Sequence, residues 1–266
     1  MAIRIAKPAD TERLLAYVKP HVSDCMYLYI DVKKYGLEDE FLKAWIGEDE
    51  AGNVNFAMMK YHTGIVFYTD DPEWDAEAVA NIFREEKPNS VTARKDLIEQ
   101  LHEILSDEYD ADYGSIFILT KYPEIESDLP IELATEDDTM EIAYLVTADE
   151  GVGAHYIVED YANQLKERMQ TNFGRSYIIR KDGKIIGHIA SYAECDGIAP
   201  ISGLIVDPEY RNSLYGAALE RRIMEDLIAE GFTVYSTVTT RLRKRLLVAT
   251  GNECTGDYGK LVLKGN

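Results

Sequence analysis

Apolar residues follow two rhythms along this chain. Unbroken or alternating aliphatic and aromatic runs such as "FAMMKY", "GIVFYT", "SYIIR" and "IIGHIASY" predict strands. Elsewhere apolar residues recur three and four positions apart. Leu219, Ile223, Met224, Leu227 and Ile228 put one apolar stripe on a helix that Gly231 closes. In the first half the predicted order is a strand from Ile3, a helix, an apolar-patterned segment over 25–35 and the strands "FAMMKY" and "GIVFYT". A helix over 75–84, strand "SVTA", a helix over 94–105 and strand "SIFILT" follow. In the second half come a strand from Ile131, a helix, a helix over 158–171, two strands around the turn Asp182-Gly183, and strand "ISGLIV". The helix after residue 211, strand "TVYSTV", a helix over 241–249 and strand "GKLVLK" complete it.

The two orders are one order written twice, and the residues repeat as well. "IRIAKPADTERLLAYV" aligns with "IELATEDDTMEIAYLV": Ile3 with Ile131, Ala6 with Ala134, Asp10 and Thr11 with Asp138 and Thr139, Val18 with Val146. Asp10 or Thr11, and their counterparts, are expected to cap the helices that follow by accepting free N–H bonds. The proline-flanked acidic stretch "YPEIESDLP" divides the chain into expected domains 1–128 and 129–266.

Charge narrows the function classes. Among 266 residues, 48 are acidic and 28 basic, a formal net charge of -20. That argues against nucleic acid, whose binding rests on cationic contacts to phosphates, and favours a neutral or cationic partner. Cys25, Cys195 and Cys254 lie far apart, and five scattered histidines show no ligand spacing, so neither a disulfide framework nor a metal site is expected. No apolar run approaches bilayer length, and the expected setting is a reducing cytoplasm, away from membranes.

Chemistry concentrates in "LIVDPEYRNSLYGAALERRIMEDLIAEG", a strand stopped by Asp207-Pro208, a tight loop, then the amphipathic helix. Such a unit aims the unpaired amides of a helix's first turn forward, where they favour an anion, and Gly216, Ala217 and Ala218 leave room for close approach. In the first half the matching turn, "YTDDPEWDAEAVANIF", holds Asp70, Asp71, Glu73 and Asp75, which would repel a phosphate.

The stretch "VDPEYRNSLYGAAL" resembles the acetyl-coenzyme A signature of the GNAT N-acetyltransferase superfamily, Arg/Gln-x-x-Gly-x-Gly/Ala after a strand ending Val-x-Pro. Arg211 takes its first position and Gly216 its last, and Leu214 stands where the middle glycine usually is. The resemblance implies a mixed α/β (α+β) protein of two GNAT-like domains, each a twisted, mostly antiparallel mixed sheet flanked by helices. The first would be degenerate and lack a coenzyme site. In the second, the backbone of Ile205 and Val206 would bind the pantetheine arm. The amides of Arg211, Asn212, Ser213, Leu214, Tyr215, Gly216 and Ala217 would hold the diphosphate.

The implied reaction is direct attack of a primary amine, on a small molecule or a peptide, on the acetyl thioester. An alkyl amine is almost wholly protonated at neutral pH, so a base is needed, and Glu194 and Asp196 in "YAECDGIAP" are the candidates. The tyrosine that many members place on the last helix is replaced by Leu247, leaving Tyr192, Tyr215 and Tyr258 as conceivable substitutes. Asp149, Glu150, Glu159 and Asp160 fall where the family's acceptor loop lies and would attract a cation. The basic run Arg241 to Arg245 could reach an outer phosphate or form a solvated helix face. No metal is implied, and a homodimer is compatible with the reading. Leu214 and Leu247 also suit another one, a non-catalytic acyl-coenzyme A sensor or protein-interaction module.

Overall fold

The computed structural model describes residues 2–122, 124–125, 128–149, 157–211 and 213–265. The chain forms two compact units, which are not a simple cut of the sequence. One comprises Met1–Ile116, Val238–Thr240 and Thr255–Asn266, the other Phe117–Thr237 and Arg241–Cys254.

The first unit runs β1 (Ala2–Ile5), α1 (Thr11–Val18), α2 (Val22–Tyr35), β2 (Leu42–Glu48), β3 (Val54–Tyr61), β4 (Gly64–Thr69), α3 (Ala76–Glu86), β5 (Ser90–Arg94), α4 (Lys95–Leu105) and β6 (Tyr109–Leu119). Strands β1 to β4 pair antiparallel in sequence order. β4 and β5 then pair in parallel over only Gly64↔Ser90, Ile65↔Val91 and Val66↔Thr92. Strand β2 carries four consecutive buried positions instead of an alternation, which is why its hydrophobic pattern gave no strand signal. The core gathers Trp45, Phe56, Phe67, Phe83 and Tyr109 with the apolar faces of α3 and α4.

The second unit repeats this order: β7 (Ile131–Leu133), α5 (Thr139–Thr147), α6 (Val158–Gln170), β8 (Ser176–Lys181), β9 (Lys184–Ser191), β10 (Ile198–Val206), α7 (Tyr215–Ala229), β11 (Thr233–Val238), α8 (Arg241–Ala249) and β12 (Glu253–Leu263). β7 to β10 are antiparallel neighbours, and β10 pairs β11 in parallel. Tyr161, Ala162 and Leu165 of α6 pack with Ile142, Ala143 and Val146 of α5 against Ile178, Ile185 and Ile205 of the sheet. From Thr255 onward β12 belongs to the first unit, where it pairs antiparallel with β5 from Tyr258↔Arg94 to Val262↔Ser90. Among the described residues no helix is long and apolar enough to cross a membrane.

The repeat reaches individual bonds, although the capping differs from the expectation. Asp10 accepts from the Lys7 amide at 2.8 Å and Asp138 from the Thr135 amide at 2.8 Å, both reaching back three residues. Thr11 donates to the Pro8 carbonyl and Thr139 to the Glu136 carbonyl, each at 2.8 Å. The aspartates thus tie down the chain's entry into a short 3₁₀ turn ahead of each helix, and they accept no backbone amide of the helix itself. An arginine backs each of them, Arg4 on Asp10 and Arg180 on Asp138, and both carboxyls are held below the ordinary range. For Asp10 the side-chain bond from Arg4 is the largest cause. For Asp138 the bonds from Thr135 and the charge of Arg180 outweigh burial, which acts in the opposite direction.

Candidate functional site

The site begins where two parallel strands part. β10 and β11 are in register at Ile198↔Thr233, Ala199↔Val234 and Pro200↔Tyr235, and then separate. On its other edge β10 also breaks register: Ser202 faces Ala190, but Ile205 faces His188, so β10 has one residue more than β9 across this stretch. This is a β-bulge, and Gly203 within it has φ +66°, a conformation that costs glycine least. Beyond Tyr235 the free side of β10 carries the partly exposed Ser202, Leu204 and Val206.

Three side chains converge on the bulge from the α6 face. The buried His188 lies 3.0 Å from the Gly203 carbonyl through Nδ1 and 3.2 Å from Ser176 Oγ through Nε2. A carbonyl only accepts, so Nδ1 carries the proton, and burial keeps the ring neutral, which leaves Nε2 to accept from the serine hydroxyl. Burial pushes its pKa down to about 4. A Cβ on Gly203 would stand 2.8 Å from the hydroxyl of Tyr192. That hydroxyl is hydrogen-bonded to the hydroxyl of Tyr161 on α6.

At its C-terminal end β10 runs into a 3₁₀ turn, Pro208–Tyr210. Asp207 anchors the turn by accepting from the Glu209 amide at 3.1 Å and from Lys184 at 2.8 Å. Ser213 Oγ donates to the Tyr210 carbonyl at 2.6 Å. Helix α7 then begins without a side-chain cap, and the Tyr215 amide makes only a long 3.4 Å contact with Ser213 Oγ. Leu214, at 53% exposure, points out of the loop and does not fill it. A Cβ at Gly216 would meet Val206 Cγ2 at 3.7 Å and Leu204 Cδ1 at 3.9 Å, so its backbone stands bare beside the free side of β10. A cavity of about 290 Å³ adjoins the loop, lined among others by Tyr144, Leu145, Ile205, Pro208 and Arg211.

Parted parallel strands, a bulge, and an uncapped helix after a tight turn form one arrangement, and residues 132–245 match the model of the acetyltransferase (GNAT) family. The chain carries a GNAT acetyltransferase domain. Solved structures extend the likeness of fold over both units. A Drosophila protein matches with a TM-score of 0.70 at 14% identity, over 98% of this chain and 98% of its own. A GCN5-related N-acetyltransferase from Sphaerobacter thermophilus gives 0.63 at 15%, over 98% and 94%. A GCN5-related N-acetyltransferase-like protein from Streptococcus suis gives 0.61 at 13%, over 96% and 100%. No curated protein matches the sequence.

Within the GNAT domain the expected residues fall into three groups. Ser213, Leu214, Tyr215, Gly216 and Ala217 do form the start of α7, and Ile205 and Val206 end the strand that leads to it; Asn212 lies outside the described residues. Arg211 is in the loop, but its guanidinium turns back: Nε donates to the Val206 carbonyl at 3.0 Å and Nη2 to Asp149 at 2.7 Å. It thereby braces the loop against the end of α5, and it occupies one lone pair of the Val206 carbonyl, part of the backbone expected to bind the pantetheine arm.

The two carboxylates expected as bases both hold structural contacts. Glu194 receives Arg175 Nε at 2.8 Å and Nη2 at 2.6 Å, together with the hydroxyl of Ser191. Arg175 also binds Glu230 at 2.6 Å, so one guanidinium clamps the start of β8, the β9–β10 connection and the end of α7. Asp196, φ 49°, sits with Gly197 at the tip of the hairpin closed by Cys195 and Ile198, where Asp-Gly suits a two-residue turn. Both lie at the end of β10 opposite the loop, several residues from the bulge. Glu150 of the acidic segment lies outside the described residues, and Glu159 and Asp160 are exposed on the first turn of α6. Arg243 of the basic run pairs with the buried Glu220 of α7, and Leu247 is buried.

Tyr161, His188 and Gly203 escaped the sequence reading. Each is an ordinary core residue by pattern; the only local signal was a glycine inside a strand, which often marks a bulge.

Proposed function

We propose that the GNAT domain binds acetyl-coenzyme A and transfers its acetyl group to a primary amine. The observation that carries the reading is the parting of β10 from β11 directly ahead of an uncapped, glycine-containing helix start. The residues fit the coenzyme: the amides at the start of α7 would hold its diphosphate, and the free side of β10, with Leu204 and Val206, would accept the pantetheine arm as an added strand. Bound acetyl-coenzyme A supplies an activated thioester, so that a nitrogen–carbon bond forms as the carbon–sulfur bond breaks.

The protein's own part is positioning and proton handling. His188 fixes the bulge by holding the Gly203 carbonyl. The Tyr192 hydroxyl, backed by that of Tyr161, stands at the bulge in a domain whose last helix offers Leu247 in place of a tyrosine. We assign proton transfer at the reacting centre to this phenol pair rather than to Glu194 or Asp196. Glu159 and Asp160, exposed on the first turn of α6, add negative charge that favours a cationic amine.

The first unit we read as a GNAT-like domain without a coenzyme site. Asp75 already caps α3 by accepting from the Ala78 amide at 2.9 Å, and Asp71 takes the Glu73 amide at 2.9 Å, so carboxylates occupy the place a diphosphate would need. The test is calorimetric titration of the whole chain with acetyl-coenzyme A, followed by detection of free coenzyme thiol over a panel of amines. Binding without turnover across that panel would favour the sensor reading.

A further inference from the structure

Among the described residues of the second unit, Arg168 has a buried nitrogen that no hydrogen bond satisfies. Arg168 stands on α6 two turns beyond Tyr161, on the same inward face. Its Nη1 is buried and has no hydrogen-bond partner. Nη2 makes one long bond, 3.4 Å, to Gln164 Oε1. Its Cζ lies 4.5 Å from the ring centre of Tyr192, the residue whose hydroxyl reaches the bulge. Among the described residues no carboxylate pairs with it.

Arginine does not discharge by losing its proton at any working pH. Arg168 as a whole is half-buried, but its Nη1 is a buried donor without a partner, and such an atom calls for a water, an ion or a ligand to satisfy it. The planar fork matches a carboxylate in a two-point bond. The location restricts what that carboxylate belongs to, because one phenol ring separates the guanidinium from the bulge, where Tyr192 meets Gly203.

Resting on the acetyl-transfer reading, we propose that Arg168 receives a carboxylate of the acceptor. The amine acetylated at the bulge then belongs to an amino acid or a similar small amino-carboxylate.

The experiment pairs amino acids with their decarboxylated amines, lysine with cadaverine and glutamate with 4-aminobutyrate, the latter keeping only the distal carboxylate. Thiol release is followed for the wild type, Arg168→Gln and Arg168→Lys. The wild type is expected to prefer at least one amino acid over its decarboxylated partner by on the order of 100-fold in kcat/KM. Arg168→Gln should lose that preference through KM, with acetyl-coenzyme A affinity unchanged by calorimetry. Arg168→Lys, which keeps the charge without the fork, should recover only part of it.

Thermal shift of the whole chain with coenzyme A gives a readout independent of turnover. The preferred amino acid should raise the melting temperature of the wild type and not that of Arg168→Gln. Without ligand, Arg168→Gln should melt close to the wild type, because the lost stacking on Tyr192 is offset by removal of a buried unpaired donor. Equal use of both members of every pair, or a preference that survives in Arg168→Gln, overturns the assignment. So does stabilisation by chloride or inorganic phosphate as large as that by any amino acid, which would mark a plain anion site. Failure of acetyl-coenzyme A to bind the wild type would refute the acetyl-transfer reading itself, a separate result.

Discussion

The imidazole of His188 donates through Nδ1 to the carbonyl of Gly203 at 3.0 Å, and so holds open the bulge on which the site is built. Burial holds the ring neutral, so that Nε2 accepts from Ser176. The folded pKa, about 4, lies below the usual 6.5, so the folded protein binds fewer protons than the unfolded chain between those values. The stabilisation is therefore full above about pH 6.5 and is lost as pH falls toward 4, amounting to about 3 kcal/mol. Urea denaturation across this range should show a steeper fall for the wild type than for His188→Gln. Equal slopes would count against the neutral, bulge-holding imidazole.

Replacement of Gly203 by alanine tests the bulge from the other side. The new Cβ would have to adopt φ +66° and would stand 2.8 Å from the Tyr192 hydroxyl and 3.4 Å from His188 Cε1. A loss of about 1–3 kcal/mol in stability is expected from the strain, with acetyl transfer falling as the phenol is displaced. A variant as stable and as active as the wild type would show that the bulge is dispensable.

Tyr192→Phe removes one hydroxyl and little volume. If the phenol pair moves the proton, kcat should fall by on the order of 10²-fold, within the range of general acid–base contributions, while acetyl-coenzyme A affinity holds. An unchanged kcat would return the role to solvent or another group.

Glu194→Gln should behave as a structural variant. It weakens the clamp of Arg175 and is expected to cost about 1–3 kcal/mol of stability, the scale of a charge-assisted hydrogen bond, while kcat per folded molecule stays within about twofold. Loss of the acidic limb of the pH–rate profile in this variant would instead identify Glu194 as the base.

Much of the fold could be read in advance because it depends on local pattern. The duplicated order and the helix–loop signature around Gly216 follow from periodicity and from residues close in sequence. Two strands were obscured for identifiable reasons. β2 is buried on consecutive positions. The start of β10 at Ile198 was hidden by Pro200, which lacks an amide to donate yet accepts from the Tyr192 amide at 3.0 Å inside the sheet. The site was less legible, because its contacts are tertiary. Glu194 meets Arg175 and Glu230, and Arg211 turns to Asp149, pairings that no spacing announces. The acidity of "YAECDGIAP" carries no trace of the turn that Asp196 and Gly197 make or of the buried clamp that holds Glu194.

The most direct measurement is titration calorimetry of the whole chain with acetyl-coenzyme A, beside the variant Gly216→Val. The wild type should bind one equivalent with micromolar affinity, on the order of -8 kcal/mol, in keeping with a single competent loop. Gly216→Val should lose most of that affinity while its melting temperature stays close to that of the wild type, since a Cβ there meets only Val206 and Leu204 at ordinary contact distance. Absence of heat from the wild type, or undiminished binding by a folded Gly216→Val, would contradict the placement of the diphosphate at the start of α7.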